Sequence, residues 1–204
     1  MLKELFNKYG CDKAKKHHYH TVYQPEFEPL QNESINILEV GVFKGESVAA
    51  WLDFFPNATV YGLDIFGRVQ AEDVPILQHP RVKWLKGDST HPSVSGAIQK
   101  AWPDVRFDII IDDGLHRPEA NARTFINLFP FIKSTGSYYV EDVWPLDIAN
   151  QEELQHWWLQ KNPEIYNMLK MNIFLNQIQN EKVERFDLRK LSGHGDSYII
   201  KVQP

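Results

Sequence analysis

Short apolar runs alternate along this chain with longer amphipathic stretches. From Ile35 onward the runs INILEVG, TVYGLDI, RVKWLKGD, FDIIIDDG and SYYVEDV are interleaved with ESVAAWLDFF and ANARTFINLFPFI, whose apolar residues recur at helical spacing. Strands buried on both faces lose the two-residue alternation, so such runs predict a mostly parallel sheet covered by helices on both sides. Gly136 is expected just past the helix ending near Lys133, where a C′ glycine belongs. Between about Asn150 and Asn180, Trp157, Trp158, Leu159, Tyr166, Leu169 and Phe174 recur on one side and Pro163 interrupts, which predicts two helices. The tail segments KVERFDLRKL and DSYIIKV, joined by SGHG, predict an antiparallel pair closing one sheet edge. The sum is a seven-stranded α/β domain over residues 35–204, preceded by an N-terminal helical extension over residues 1–34.

Composition narrows this little but usefully. With 204 residues, 43% hydrophobic and 24% charged, the chain is neither disordered nor a coiled coil, and no repeat or linker divides it. A formal charge of −5 disfavours a broad nucleic-acid surface and points to a small molecule as partner, while leaving room for a homo-oligomer. A single cysteine, Cys11, cannot form an internal disulfide, so the cytoplasm is the expected compartment. No run approaches membrane-spanning length, and the charged start around Lys3 and Glu4 does not resemble a signal peptide.

Chemistry enters at the strand ends. Glu39, Asp64, Asp88, Asp112 and Asp113 follow successive strands, and in an open parallel sheet ligands bind outside the carboxyl ends. After the first strand, Gly41 and Gly45 open a helix, but counting from Gly41 places Phe43 and Glu46 where a dinucleotide fingerprint needs glycine. A nicotinamide cofactor therefore fits poorly. Glu39 would repel a pyrophosphate yet could pair with a sulfonium or ammonium, which points to S-adenosylmethionine. Asp64 is placed for the ribose hydroxyls and Asp88 for the adenine amino group, with Asp112 at the edge of the same crevice.

The segment IIIDDGLH ends the fourth strand, and SYYVEDV brings Glu141 and Asp142 to the same edge. One reading is an ordinary Asp-Gly turn with His116 starting a helix. The other is a cation site: Asp113, Glu141 and Asp142 would repel one another unless a hard ion such as Mg²⁺ lay between them. His116 is then the candidate general base.

The stretches CDKAKKHHYHTVYQPEFEPL, INILEVGVFKGES, IDDGLH and SYYVEDV together resemble the metal-dependent class I S-adenosylmethionine O-methyltransferases that modify deoxysugars of macrolide antibiotics, from about Tyr9 to Trp144. Cys11 and Ala14 depart from the family's usual threonine and glycine. The resemblance implies a Rossmann-like class I methyltransferase fold. It implies Mg²⁺ on Asp113, Glu141 and Asp142, with His116 as base. It also implies that Lys13, His18, Tyr19 and Tyr23 form a flap over the methionine end of the cofactor. On residue type alone, the run Lys13, Lys15, Lys16, His17, His18, His20 reads as a solvated face, Trp144 and Trp157-Trp158 as core or acceptor pocket, His194 as an exposed turn residue, and His156 as a packed or surface histidine. The expected activity is Mg²⁺-assisted methyl transfer to a hydroxyl of a sugar or glycosylated small molecule. A catechol-type phenol methyltransferase and a non-catalytic nucleotide-binding module are the alternatives.

Overall fold

The computed structural model describes residues 1–161, 174–176, 178 and 181–204. Its sheet comprises β1 (Asn36–Val40), β2 (Thr59–Asp64), β3 (Val82–Lys86), β4 (Phe107–Asp112), β5 (Ile132–Val140), β6 (Lys182–Asp187) and β7 (Tyr198–Gln203), in the order β3-β2-β1-β4-β5-β7-β6. Strands β3 to β5 of that order pair in parallel, and β7 runs antiparallel to both β5 and β6. This is the mostly parallel sheet that the apolar runs predict, with the tail pair at one edge.

Successive side chains on a strand point to opposite faces, and the core divides accordingly. Ile37, Ile109, Ile111, Tyr139 and Ile199 lie in one cluster, and Leu38, Val40, Ile110, Tyr138, Val140 and Ile200 in the other. Helices α1 (Leu2–Tyr9), α2 (Asp12–Lys15), α3 (His20–Phe27) and α4 (Glu46–Phe54) supply the first cluster. There Phe6 meets Trp51 edge-on at 5.1 Å and Tyr23 stacks on Phe27 at 4.9 Å. A fully buried tryptophan such as Trp51 is worth roughly 3–5 kcal/mol against alanine. Helices α5 (Val94–Ala101) and α6 (Pro118–Leu128) cover the second face with Val94, Ile98, Phe125 and Leu128.

Residues 1–34 carry the helices α1 to α3, and Leu2, Phe6, Tyr19, Tyr23 and Phe27 are buried in the same core as β1 and β4. One expectation needs correction. Gly136 does not end a helix: α6 stops at Leu128, and Gly136 lies inside β5. A Cβ at 136 would fall 2.8 Å from the Asp108 carbonyl oxygen and 2.9 Å from that of Phe107, where the β4–β5 register shifts. Close backbone approach explains this glycine. In the stretch from Asn150, α7 (Gln151–Leu154) and α8 (Trp157–Lys161) are observed, whereas the Trp158 side chain, Pro163, Tyr166 and Leu169 lie outside the described residues. No helix among the described residues is long and apolar enough to cross a membrane.

Candidate active site at the carboxyl edge of the sheet

The backbone at this edge is locally unusual. Phe43, Phe66, His116 and Asp142, in the loops after β1, β2, β4 and β5, all have φ between 49° and 52°, and His18 has φ 60°. Left-handed backbone is disfavoured for such residues and persists only where the surroundings fix it. Asp64 is one fixing group, its two oxygens accepting the Phe43 N–H at 3.0 Å and the Phe66 N–H at 2.6 Å. Gly41, at φ 88°, is another: a Cβ there would lie 2.1 Å from the Asp113 carbonyl oxygen, so the loop after β1 rests directly on the loop after β4. Gly45 occupies the N-cap of α4 in the left-handed region.

Alternation along the strands then sorts the acids. Glu39, two residues after Ile37, points to the face covered by the N-terminal helices, where its Oε1 lies 3.8 Å from the Lys13 ammonium. Both Glu39 oxygens are buried without a hydrogen-bond partner. Burial pushes its carboxyl up to about 7, against the pull of Lys13. Asp112 points to the other face, accepting from Asn121 at 3.1 Å and from the Gly114 N–H at 3.3 Å, and burial raises it to about 6. Its neighbour Asp113 returns to the first face, with Oδ2 2.6 Å from Lys13 Nζ.

The second pair does not divide between the faces, because the left-handed backbone of Asp142 ends the alternation and both acids bond to side chains of the N-terminal segment. Glu141 accepts from Lys13 and from the Tyr23 hydroxyl, and its burial raises its pKa. Asp142 Oδ1 instead accepts from the Tyr19 hydroxyl at 2.6 Å, and that hydroxyl in turn accepts the Asp142 N–H at 3.0 Å. Burial would raise Asp142, but His116, His17 and the Tyr19 bond outweigh it and hold the carboxyl low. Lys13 is itself fully buried, yet Asp113, Glu141 and Glu39 overcome that burial and keep it cationic.

His116 completes the arrangement. Its Nε2 lies 3.6 Å from Asp113 Oδ1 and 3.8 Å from Asp142 Oδ2. Donor atoms of Asp113, His116 and Asp142 lie within 4.8 Å of one another, close enough to share one ion. Glu141, expected as the third carboxylate ligand, is turned instead to Lys13 and Tyr23. Lys13, Tyr19 and Asp112, expected against the cofactor, are buried and bonded to Glu141, Asp142 and Asn121 respectively. Asp88 is exposed after β3, one oxygen accepting from the Thr90 amide and hydroxyl and the other free of protein donors among the described contacts.

The basic run is not a solvated face. Lys13 and His17 are each 1% exposed, whereas Lys15 is exposed. His17 stacks on Tyr19 at 4.9 Å, contacts Ser197 Oγ at 2.8 Å and lies 3.6 Å from Asp142 Oδ1. Composition gives no signal for such distant partners. The strand alternation, by contrast, does contain the separation of Asp112 from Asp113. Trp144 is buried against Gly195, His156 sits 5.4 Å from it, Trp157 is exposed, and His194 is an exposed turn residue.

No family model matches the chain. Mycinamicin VI 2''-O-methyltransferase of Micromonospora griseorubida is 32% identical over 152 residues, covering 70% of this chain and 36% of that protein. An 8-demethyl-8-alpha-L-rhamnosyl tetracenomycin-C 2'-O-methyltransferase of Streptomyces olivaceus is 30% identical over 155 residues, 71% of this chain and 39% of that one. The chain thus spans little more than a third of the length of these curated relatives. Among solved structures, the MycE methyltransferase of the mycinamycin biosynthetic pathway in complex with Mg and SAH superimposes with a TM-score of 0.72 at 23% identity, over 99% of this chain and 54% of that one. The fold is therefore that of the class I, Rossmann-like methyltransferases, and the sequence is similar over 70% of its length to that of a sugar O-methyltransferase.

Proposed function

We propose that this chain is an S-adenosylmethionine-dependent, Mg²⁺-assisted O-methyltransferase acting on a hydroxyl of a sugar or glycosylated small molecule. The observation that carries the reading is the convergence of Asp113, His116 and Asp142 within 4.8 Å beside a glycine loop in backbone contact with Asp113. The residues present fit both groups. Glu39, buried with two unpartnered oxygens, lacks a cationic partner at hydrogen-bond distance, and the methionine end of the cofactor carries cationic groups. Asp64 keeps lone pairs for ribose hydroxyls while it holds the two loop amides, and Asp88 has an oxygen left for an adenine amino group. Asp113 and Asp142 offer hard oxygen donors to Mg²⁺, an ion that imidazole suits poorly, which leaves His116 for proton transfer.

When bound, S-adenosylmethionine supplies an electrophilic methyl group and Mg²⁺ makes a neighbouring acceptor hydroxyl more acidic. The chain does the rest by placement. His116 Nε2 faces the gap between the two aspartates, so an acceptor hydroxyl lying there gives its proton to that nitrogen. Asp112 acts at one remove: its bond to the Gly114 N–H holds the turn that aims Asp113 and His116. The packing of Gly41 on Asp113 fixes the separation of cofactor loop and acceptor gap, which a single displacement step requires. The acidic balance and the lone free cysteine support a small-molecule acceptor and a reducing, cytoplasmic setting.

The test is methyl transfer from S-adenosylmethionine to a glycosylated acceptor with vicinal free hydroxyls, read by mass. Product is expected with Mg²⁺ and none with a chelator in excess. S-adenosylhomocysteine at a hundred times its Kd should stabilise the fold by about 2.7 kcal/mol in a melting experiment, and NAD should not. Chelator-resistant transfer, or a shift with NAD alone, overturns the reading; transfer to catechol in preference to the sugar diol overturns the acceptor class.

A further inference from the structure

Helix α6 carries a polar stripe among its buried apolar residues. Asn121, Thr124 and Asn127 recur at three-residue spacing; the first two are 2% exposed and the third is half-buried, beside Ala122, Phe125 and Leu128 of the second core cluster. The ends of the stripe grip different loops. Asn121 donates to Asp112 Oδ2 at 3.1 Å, at the strand end that leads to Asp113 and His116. Thr124 Oγ1 lies 2.9 Å from Ser89 Oγ, and Asn127 Nδ2 donates to the Ser89 carbonyl at 2.9 Å, so the loop after β3 is held through both side chain and main chain of one residue. Asn127 is fixed in turn, its own carbonyl accepting from Ser95 of α5 at 2.9 Å. On the other side of Asp88, the Gly87 N–H donates to the Asp64 carbonyl at 2.9 Å. Asp88 thus stands between two anchored residues, with one oxygen held by the Thr90 amide and hydroxyl.

A polar pair buried in a core adds little stability, since replacing both partners by apolar groups of the same shape can be neutral or favourable. What it adds is geometry. A threonine inside a helix commonly returns its hydroxyl to its own backbone, whereas Thr124 commits it to a loop 35 residues away. Resting on the reading of Asp88 as acceptor of the adenine amino group, we propose that Thr124 and Asn127 are positioning residues for base recognition. They fix Ser89, and through it the reach of the Asp88 carboxylate. Held there, the carboxylate accepts from a purine amino group and repels a carbonyl oxygen in its place. A purine with that carbonyl carries an N–H on the adjoining ring nitrogen, which a loop free to shift would accept instead. Discrimination therefore depends on the loop keeping its place, and the stripe on α6 keeps it there.

The experiment measures ligand binding rather than turnover. Calorimetry on the full chain compares S-adenosylhomocysteine with S-inosylhomocysteine, in which the purine amino group is replaced by a carbonyl. Wild type is expected to favour the adenine compound roughly tenfold or more, the scale of one hydrogen bond to a charged acceptor. Thr124→Val keeps the shape of the side chain but removes its bond to Ser89, and should shrink that preference about fivefold. Thr124→Ser restores the hydroxyl and should recover it. Asn127→Ala releases the Ser89 carbonyl from a half-buried position and should move the ratio the same way, which decides the matter if Thr124→Val fails to fold. A loss of stability alone weakens both ligands alike and leaves the ratio where it was. A ratio within about twofold of wild type in the folded variants overturns the inference and leaves the reading of Asp88 standing. A Thr124→Ser ratio as low as that of Thr124→Val overturns it too, because the cause is then packing and not the hydroxyl. A wild type that binds both compounds equally overturns it together with the assignment of Asp88 to the base, and one that binds neither removes the cofactor reading as well.

Discussion

The two ends of the sheet are built to different standards. At the amino ends of the strands, ionic groups are half-exposed and locally matched: Lys133 reaches both oxygens of Asp108 at 2.8 and 2.9 Å, Asp108 accepts the Asn36 N–H at 2.8 Å, and Arg106 donates to the Val105 carbonyl. An open groove of about 560 Å³ there is bordered by Lys83, Trp102, Arg106 and Lys133. At the carboxyl ends, Glu39, Asp112, Glu141, Asp142 and Lys13 are buried together, and four of the six left-handed non-glycine residues among the described residues occupy the loops after β1, β2, β4 and β5. Burying charge and bending backbone both cost stability. The difference teaches that one end holds the sheet together at little expense while the other is kept away from its most stable arrangement, as a binding site requires.

Substitutions can press on that contrast. The largest effect should come from His116→Ala: kcat is expected to fall roughly a hundred to ten thousand fold, the usual contribution of a positioned base, with S-adenosylhomocysteine and Mn²⁺ affinities within about twofold of wild type. Steady-state kinetics beside calorimetry decides this, and retained turnover would return His116 to a turn residue ahead of α6.

A second effect is thermodynamic. The Glu39 carboxyl is raised from 4.5 to about 7 in the fold, so the native chain binds more protons than the unfolded one between those values. Stability of the ligand-free protein should therefore fall as pH rises from about 4.5 to 7. The part due to Glu39 is on the order of 3 kcal/mol. Glu39→Gln should flatten that slope, stabilise the ligand-free chain near pH 8 and weaken S-adenosylmethionine binding. Denaturant titrations across the pH range would show it, and an unaltered slope would mean that Glu39 is ionised at little cost. The smallest effect belongs to the other end of the sheet. Lys133→Ala should cost less than about 1 kcal/mol and leave methyl transfer unchanged, because its ion pair is partly solvated. A loss of activity there would break the comparison.

How much of this the sequence discloses follows the same division. The inner parallel strands β1, β2 and β4 are plain because burial on both faces leaves continuous apolar runs, whereas the edge strand β3 is mostly exposed, and the convergence of Asp113 with Asp142 follows from their strand ends. The bonds of Glu141 to Lys13 and Tyr23 are not legible, because those partners lie 128 and 118 residues away in the chain. Lys13 and His17 are harder. Their partners Glu141 and Ser197 lie 128 and 180 residues away, so local pattern registers only a polar run. Gly136 looks like a helix stop because the two carbonyls that exclude a side chain there belong to another strand.

The contact between Gly41 and the Asp113 carbonyl also bears on how this chain can change over generations. A methyl group at position 41 would overlap the backbone of residue 113, and no rotamer choice relieves a clash between Cβ and main chain. Any larger residue at 41 must displace the acid that faces the acceptor gap. Drift at this position is thereby closed even where the cofactor would tolerate it. A descendant that altered the acceptor end by shifting residue 113 would carry the cofactor loop along with it, so new acceptor preferences are more accessible through residues outside this contact than through the loop that bears Asp113.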